Sequence, residues 1–441
     1  MKRICGLETE HGTVFEEELI KLNLTPESYL MRELRDDPTF LLSEGGSEDE
    51  PKRSHWHNGA QIYLDCDKHY EVATPECTPD NISLYDAALS KSICEISPHH
   101  HALVYKNSID DRLKTFGCHE NYRVHHPLVH GKELEQLIFQ KLGAFFVTRI
   151  LFSGAGHLYE GKYYMSQQAL GNAHLATTRT PSFYTSRLNE PFSEKGIRFH
   201  YTGGEANLSE IANYLKIGTT SLLLTLIESD ASFFKDISNN ADTCAKLWME
   251  LNQETNLFVK QEKTPIIEKA IEIQKYYQSC AQTFFDQNLH LKDAWTDDIL
   301  VRWKNVLQQI KTRSPIIKRQ VDWAIKHALI KSYAQQEQLE LSDKRIEKAS
   351  RHYHLLRPEG AYYVLRKAEL VDTLFTAEEL SSAQYNPPNT RAKARTEILR
   401  KMAKQHAVPQ IIAWDRLRFL NPETNRSIEY LLPDPLALHF P

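Results

Sequence analysis

No stretch of this 441-residue chain supplies eighteen uninterrupted apolar residues, so a membrane-spanning helix is not expected. The opening Met1-Lys2-Arg3-Ile4 runs directly into strand-like sequence, without the apolar segment of a secretory signal. A soluble, cytoplasmic protein is the expectation. A basic excess is absent as well: 53 Lys and Arg stand against 58 Asp and Glu, a net charge of -5, which sets nucleic acid aside as a main partner. The seven cysteines, Cys5, Cys66, Cys77, Cys94, Cys118, Cys244 and Cys280, are scattered and include no CxxC pair. They read as reduced thiols, which excludes a disulfide framework or a zinc site. A Walker lysine loop and the protein-kinase signature set are missing too, so those ATP folds are not supported.

What the chain does have is acid at strand spacing. In Arg3-Ile4-Cys5-Gly6-Leu7-Glu8-Thr9-Glu10 the two carboxylates stand at i and i+2, which a strand places on one face. Two anions side by side repel unless something positive sits between them. Gln61-Ile62-Tyr63-Leu64-Asp65 repeats the device, with Tyr63 and Asp65 on one face, and Glu71 and Glu76 follow. Acids on a strand face open to water suit a hard cation such as Mg²⁺, which takes oxygen ligands and is commonly shared with substrate phosphates. The pattern points to a nucleotide-dependent enzyme.

Further along, Arg179, Arg187 and Arg198 with His200 form a basic group. Guanidinium planes suit phosphate oxygens and can spread the charge that develops in phosphoryl transfer; salt bridges to the acidic face are the alternative. Cys118-His119-Glu120-Asn121-Tyr122 either binds metal or phosphate or forms a hydrogen-bonded network at a strand end. A Cys118 and His119 nucleophile pair is disfavoured, because neighbours on a strand point to opposite faces. Gly203-Gly204 before a helix either cradles phosphate or only turns the chain. His99-His100-His101 reads as a solvated turn rather than a metal tract.

Strand candidates lie at 102–107, 122–126, 163–167 and 198–202, and helical periodicity marks 134–152, 209–228, 236–251, 264–286, 293–311 and 316–337. Strands early and helices late predict an α+β fold, an antiparallel sheet covered by helices. A polar insert at about 36–54 contains a run at 43–52 that looks like a mobile surface loop, either a solvated connection or a lid. Asn386-Pro387-Pro388-Asn389 precedes a helix at 391–405 and strands at 411–420 and 428–432. The expected division is therefore a catalytic domain over 1–370 and a small C-terminal α/β domain over 371–441.

In series, GLETEHG (6 to 12), HNGAQIYLD (57 to 65), YEVATPEC (70 to 77), FGCHENY (116 to 122), ATTRTPSFYTSRLNEP (176 to 191), RFHYTGGEANLSEIANYLKIGTTSLLL (198 to 224) and HYHLLRPEGAYYVL (352 to 365) resemble one family. It comprises the Pup ligases and the Pup deamidase/depupylases, which share a glutamine-synthetase-like fold. The resemblance implies ATP and Mg²⁺ as cofactors. Carried over residue by residue, it implies Glu8, Tyr63, Glu71 and His119 as metal and phosphate ligands, with Glu10, Glu120 and His200 nearby. It also implies Asp65 as the base. Its ligases phosphorylate the C-terminal glutamate side chain of Pup, a small disordered modifier, and a target lysine then attacks to give an isopeptide bond. The resemblance suggests a link to a proteasome system. The six-residue spacing of Asp65 and Glu71, with Cys118 before His119, resembles the ligase branch. A depupylase, a small-molecule carboxylate-amine ligase and an inactive binding homologue are the other readings. Gln168 stands where the family has an arginine, Asn189 where it has an acid, and Tyr70 where it has proline.

Overall fold

The computed structural model describes residues 3–15, 25, 29–31, 40–47, 50–65, 68–175, 184–186, 196–234, 239–254, 264–436 and 438. Its frame is a nine-stranded sheet. Those strands are β1 (Cys5–Phe15), β2 (Phe40–Ser47), β3 (Glu50–Trp56), β4 (Gln61–Leu64), β5 (Tyr70–Ala73), β6 (Ala102–Tyr105), β7 (Cys118–His125), and, after the small hairpin of β8 (His157–Tyr159) and β9 (Lys162–Tyr164), β10 (Tyr184–Ser186) and β11 (Gly196–Tyr201). The order is β10-β11-β7-β1-β5-β4-β3-β2, with β6 also on β1, and these neighbours pair antiparallel.

Alternation decides which face is dry. Cys5 and Leu7 of β1, Tyr122 and Val124 of β7, and Phe199 and Tyr201 of β11 are buried in one apolar cluster with helices Gly131–Thr148 and Glu210–Asp230. Phe146 stacks on Tyr201 with ring centroids 4.4 Å apart, and each large apolar side chain so buried contributes roughly 1.5–3 kcal/mol. Helix Ile82–Ile96 covers the other half of the sheet, setting Leu89 and Ile93 against Ile62, Tyr70 and Val72. Glu8, Glu10, Tyr63 and Glu71 therefore fall on the opposite face, clear of the helices. The C-terminal sheet of β12 (Val408–Ile412), β13 (Arg416–Asn421) and β14 (Arg426–Leu431) builds a separate core with helix Arg391–Lys404 through Leu399, Met402, Leu417 and Phe419.

The expected α+β architecture and the long helices are present. Three local readings need correction. The strand expected at 411–420 is two antiparallel strands, β12 and β13, with the chain reversing at 413–415. Within the run at 43–52, expected to be a loop, residues 43–47 and 50–52 belong to the paired strands β2 and β3; backbone pairing at a sheet edge tolerates a composition that reads as loop. The helix expected over 316–337 breaks at Val321, which is extended. The break frees Asp322 to accept hydrogen bonds from the Leu208 and Ser209 amides at 3.1 and 3.0 Å, anchoring the start of helix Glu210–Asp230. No helix among the described residues is long and apolar enough to cross a membrane.

Candidate active site

Register turns distant sequence into neighbouring side chains. One cross-strand row runs Arg53, Tyr63, Glu71, Glu10. The next runs Gln61, Ala73, Glu8, His119. A third joins Gly6, Asn121 and His200, and a fourth pairs Arg123 with Arg198. Directly opposed residues share a face, so all four rows lie on the side of the sheet opposite helices Ile82–Ile96, Gly131–Thr148 and Glu210–Asp230.

Glu8 lies at the centre. Its Oε1 is 3.3 Å from Arg198 Nη1, and its Oε2 is 3.8 Å from His119 Nδ1 and 3.9 Å from His200 Nδ1. Burial alone would raise this carboxyl, but His119, Arg198 and His200 overcome it and hold the pKa down at about 2. Glu71 has the opposite fate: burial and the charge of Glu8 push it up to about 7, although the Tyr63 hydroxyl donates to its Oε1 at 2.9 Å. The Arg53 guanidinium lies over the Tyr63 ring, 5.1 Å from the centroid. His119 is raised by Glu8 and Glu10 against the cost of its own burial. Room for its ring exists only because residue 117 is glycine, where a Cβ would come within 2.3 Å of His119 Nε2 and 2.8 Å of Glu10 Oε1.

Lys68 takes the left-handed conformation with φ 67°, and its amide donates at 3.1 Å to the carbonyl of Asp65, the residue after β4. Asp65 Oδ1 accepts the His69 amide at 2.6 Å, while His69 Nδ1 lies 3.3 Å from Oδ2 and 3.1 Å from Glu10 Oε2. Glu10, Asp65 and His69 bring three ligand atoms within 4.8 Å of one another, as do Glu8, His119 and His200. The two triads differ in chemistry. The contact with Glu10, aided by Asp65, lifts His69 to about 9, so it stands at neutral pH as a cation between two carboxylates rather than as a free ligand.

A cavity of about 350 Å³ opens beside Glu8, with Asn121, Arg123 and Arg198 on the sheet side and Arg391 and Trp414 from the C-terminal part. Arginine lining next to a carboxylate cluster can hold a polyanion together with its counter-cation.

The rows gather Glu8, Glu10, Tyr63, Glu71, His119, Arg198 and His200, with Asp65 held to Glu10 through His69. Arg179, Arg187 and Asn189 lie outside the described residues. Glu120 is a correction: it faces the helices, fully buried, and is ion-paired with Arg149. One residue's shift from His119 along a strand reverses the face. Cys118 is likewise on the helix side, near Thr9 Oγ1 and Lys216 Nζ at 3.6 and 3.9 Å, with its thiol raised by burial. Gly204 permits close packing, since a Cβ there would meet the Cys118 carbonyl at 2.3 Å. Gln168 donates to the Phe116 carbonyl at 2.8 Å. Sequence reasoning missed Arg53, His69, Arg123 and Trp414. Arg123 carried a signal, standing four residues after His119 and so on the same strand face; Trp414 carried none.

The family described as Pup-ligase protein matches residues 3–418. A depupylase of Acidothermus cellulolyticus is 30% identical over 388 residues, covering 82% of this chain and 74% of its own. A Pup–protein ligase of Kribbella flavida is 30% identical over 471 aligned positions, covering 99% and 97%. Among solved structures, the ligase in a complex with the prokaryotic ubiquitin-like protein Pup superimposes with a TM-score of 0.79 at 22% identity, covering 99% of this chain and 89% of that one.

Proposed function

The chain belongs to the Pup-ligase family, and from that premise we propose that it is an ATP-dependent, cytoplasmic carboxylate-amine ligase that joins a Pup-like modifier to lysines of target proteins. The observation that carries the reading is the single sheet face on which Glu8, Tyr63, Glu71 and His119 converge beside Asp65 and an arginine-lined cavity.

The donor set fits Mg²⁺. Glu8 and Glu71 supply hard oxygens, and the Glu71 carboxyl, lifted to about 7 by burial and by the charge of Glu8, is one whose ionised form a cation would stabilise. Glu8, Tyr63, Glu71 and His119 would hold the ion, which when bound offsets charge on the nucleotide phosphates. Arg198 and His200, on β11, would contact the same phosphates. In the first step the γ-carboxylate of the modifier's terminal glutamate takes the γ-phosphoryl group of ATP, and ADP leaves. In the second step the target lysine attacks the acyl carbon and phosphate departs. An amine with an ordinary pKa of about 10.4 arrives protonated, so Asp65 removes the proton that would block attack. The His69 amide and imidazolium fix the Asp65 carboxylate for that task.

The test is stoichiometry. Enzyme, ATP, a disordered modifier ending in glutamate and a lysine-bearing acceptor should yield conjugate and ADP in equal amounts. The 30% identity to a depupylase sustains the second reading, in which nucleotide is retained and Asp65 serves hydrolysis. Cleavage of conjugate without matching ADP release would select it.

Metal affinity should depend on pH through Glu71. A carboxyl raised to about 7 is half protonated at neutrality, and only its ionised form binds metal. Affinity for Mg²⁺ in the presence of ADP should therefore rise with pH and level off above 8, being about tenfold weaker at pH 6 than at pH 8. Calorimetry at the two values decides it, and a flat profile would remove Glu71 from the metal site.

A further inference from the structure

Trp414 stands outside the large sheet, between β12 and β13, yet it borders the cavity that Glu8 and Arg198 line. Its position is set from the sheet side. Glu76, three residues beyond β5 and buried, accepts hydrogen bonds from Arg395 Nη1 and Nη2, both at 2.6 Å, and from Arg391 Nε at 3.0 Å. Arg395, wholly buried, donates in turn to the Trp414 carbonyl at 3.0 Å and to the Gly59 carbonyl at 3.2 Å. Its guanidinium also lies 4.8 Å from the centroid of the Trp414 ring. One planar cation thus holds the backbone and a ring face of the same residue, a double contact a lysine ammonium cannot reproduce. A buried ion pair is costly unless its remaining hydrogen bonds are made, and here the carbonyls of Gly59 and Trp414 make them. Nothing in the reaction itself requires this pair.

We propose that Glu76, acting through Arg395, is a positioning residue for nucleotide: it fixes the Trp414 indole as the surface on which the base stacks. The C-terminal sheet then governs affinity for the base, while the rows of the large sheet bind the phosphates. The proposal rests on the reading of the cavity as the nucleotide site.

The experiment compares two probes on the full-length protein with Mg²⁺: ADP, which has a base, and inorganic pyrophosphate, which has none. Arg395→Lys keeps a cation beside Glu76 and loses the planar contact with Trp414; it should weaken ADP about tenfold, the scale of one base-on-indole stack, and leave pyrophosphate within about twofold. Glu76→Gln should do the same, and Trp414→Leu provides the reference. If Trp414→Leu leaves ADP binding unchanged, the reading of the cavity fails. If Trp414→Leu weakens ADP while Arg395→Lys and Glu76→Gln do not, that reading stands and the positioning role is overturned. Parallel loss of both probes in the variants would also overturn it, since a general loss of structure does not distinguish base from phosphate. Should Glu76→Gln fail to fold, Arg395→Lys decides alone.

Discussion

Asp65→Asn should lower conjugation by about 10² or more, the usual cost of removing a general base, while ADP binding stays near the wild-type value. The substitution keeps the side chain's size and its acceptor for the His69 amide, 2.6 Å away. What it removes is the charge that accepts the lysine proton. The two half-reactions separate the roles further: phosphorylation of the modifier, followed as ADP formed in a single turnover, should persist, whereas transfer to lysine should stall. Turnover within about threefold of wild type would show that Asp65 is not the base.

The second large effect falls on stability. Arg149 Nη1 donates to Glu120 at 2.9 Å and to Thr220 Oγ1 at 2.7 Å, and its guanidinium lies 4.7 Å from the Tyr201 ring centroid. Glu120 also accepts the Tyr122 hydroxyl at 2.7 Å. Arg149→Met leaves that carboxylate buried and unpaired, and should cost about 3–5 kcal/mol in denaturant unfolding. Adding Glu120→Leu should recover part of the loss, because removing both partners also removes the stranded charge. A Glu120→Gln variant that unfolds like wild type but loses turnover would return Glu120 to the site, contrary to its place on the helix side.

These two predictions mark what was legible in the chain. The i, i+2 carboxylates of β1 and the alternation in β4 contain the facing of Glu8, Glu10, Tyr63 and Asp65, because strand periodicity is a local property. The motifs, met in family order, carried the fold and the site's members. Strand register is not local, so no inspection of one segment could put Arg53 opposite Tyr63 or Arg123 opposite Arg198. The family resemblance sets Glu120 near the site, and its place next to His119 on a strand argues against that. Helix Ile82–Ile96 is legible in part, because Ile82, Leu89, Ile93 and Ile96 carry helical spacing. Trp414 reaches the cavity through packing of two cores, and a single chain segment contains no trace of that.

The way the rows are shared between core and site has a consequence for folding fidelity. On β1, Leu7 and Thr9 alternate with Glu8 and Glu10, so a slip of one residue against β5 or β7 would send two carboxylates into the apolar layer and a leucine into water. A misregistered sheet would thus be unstable as well as inactive. The chain has no easy route to a long-lived, well-packed decoy with a scrambled site, and molecules that survive cellular quality control are, by the same pattern of side chains, those whose acids are correctly assembled.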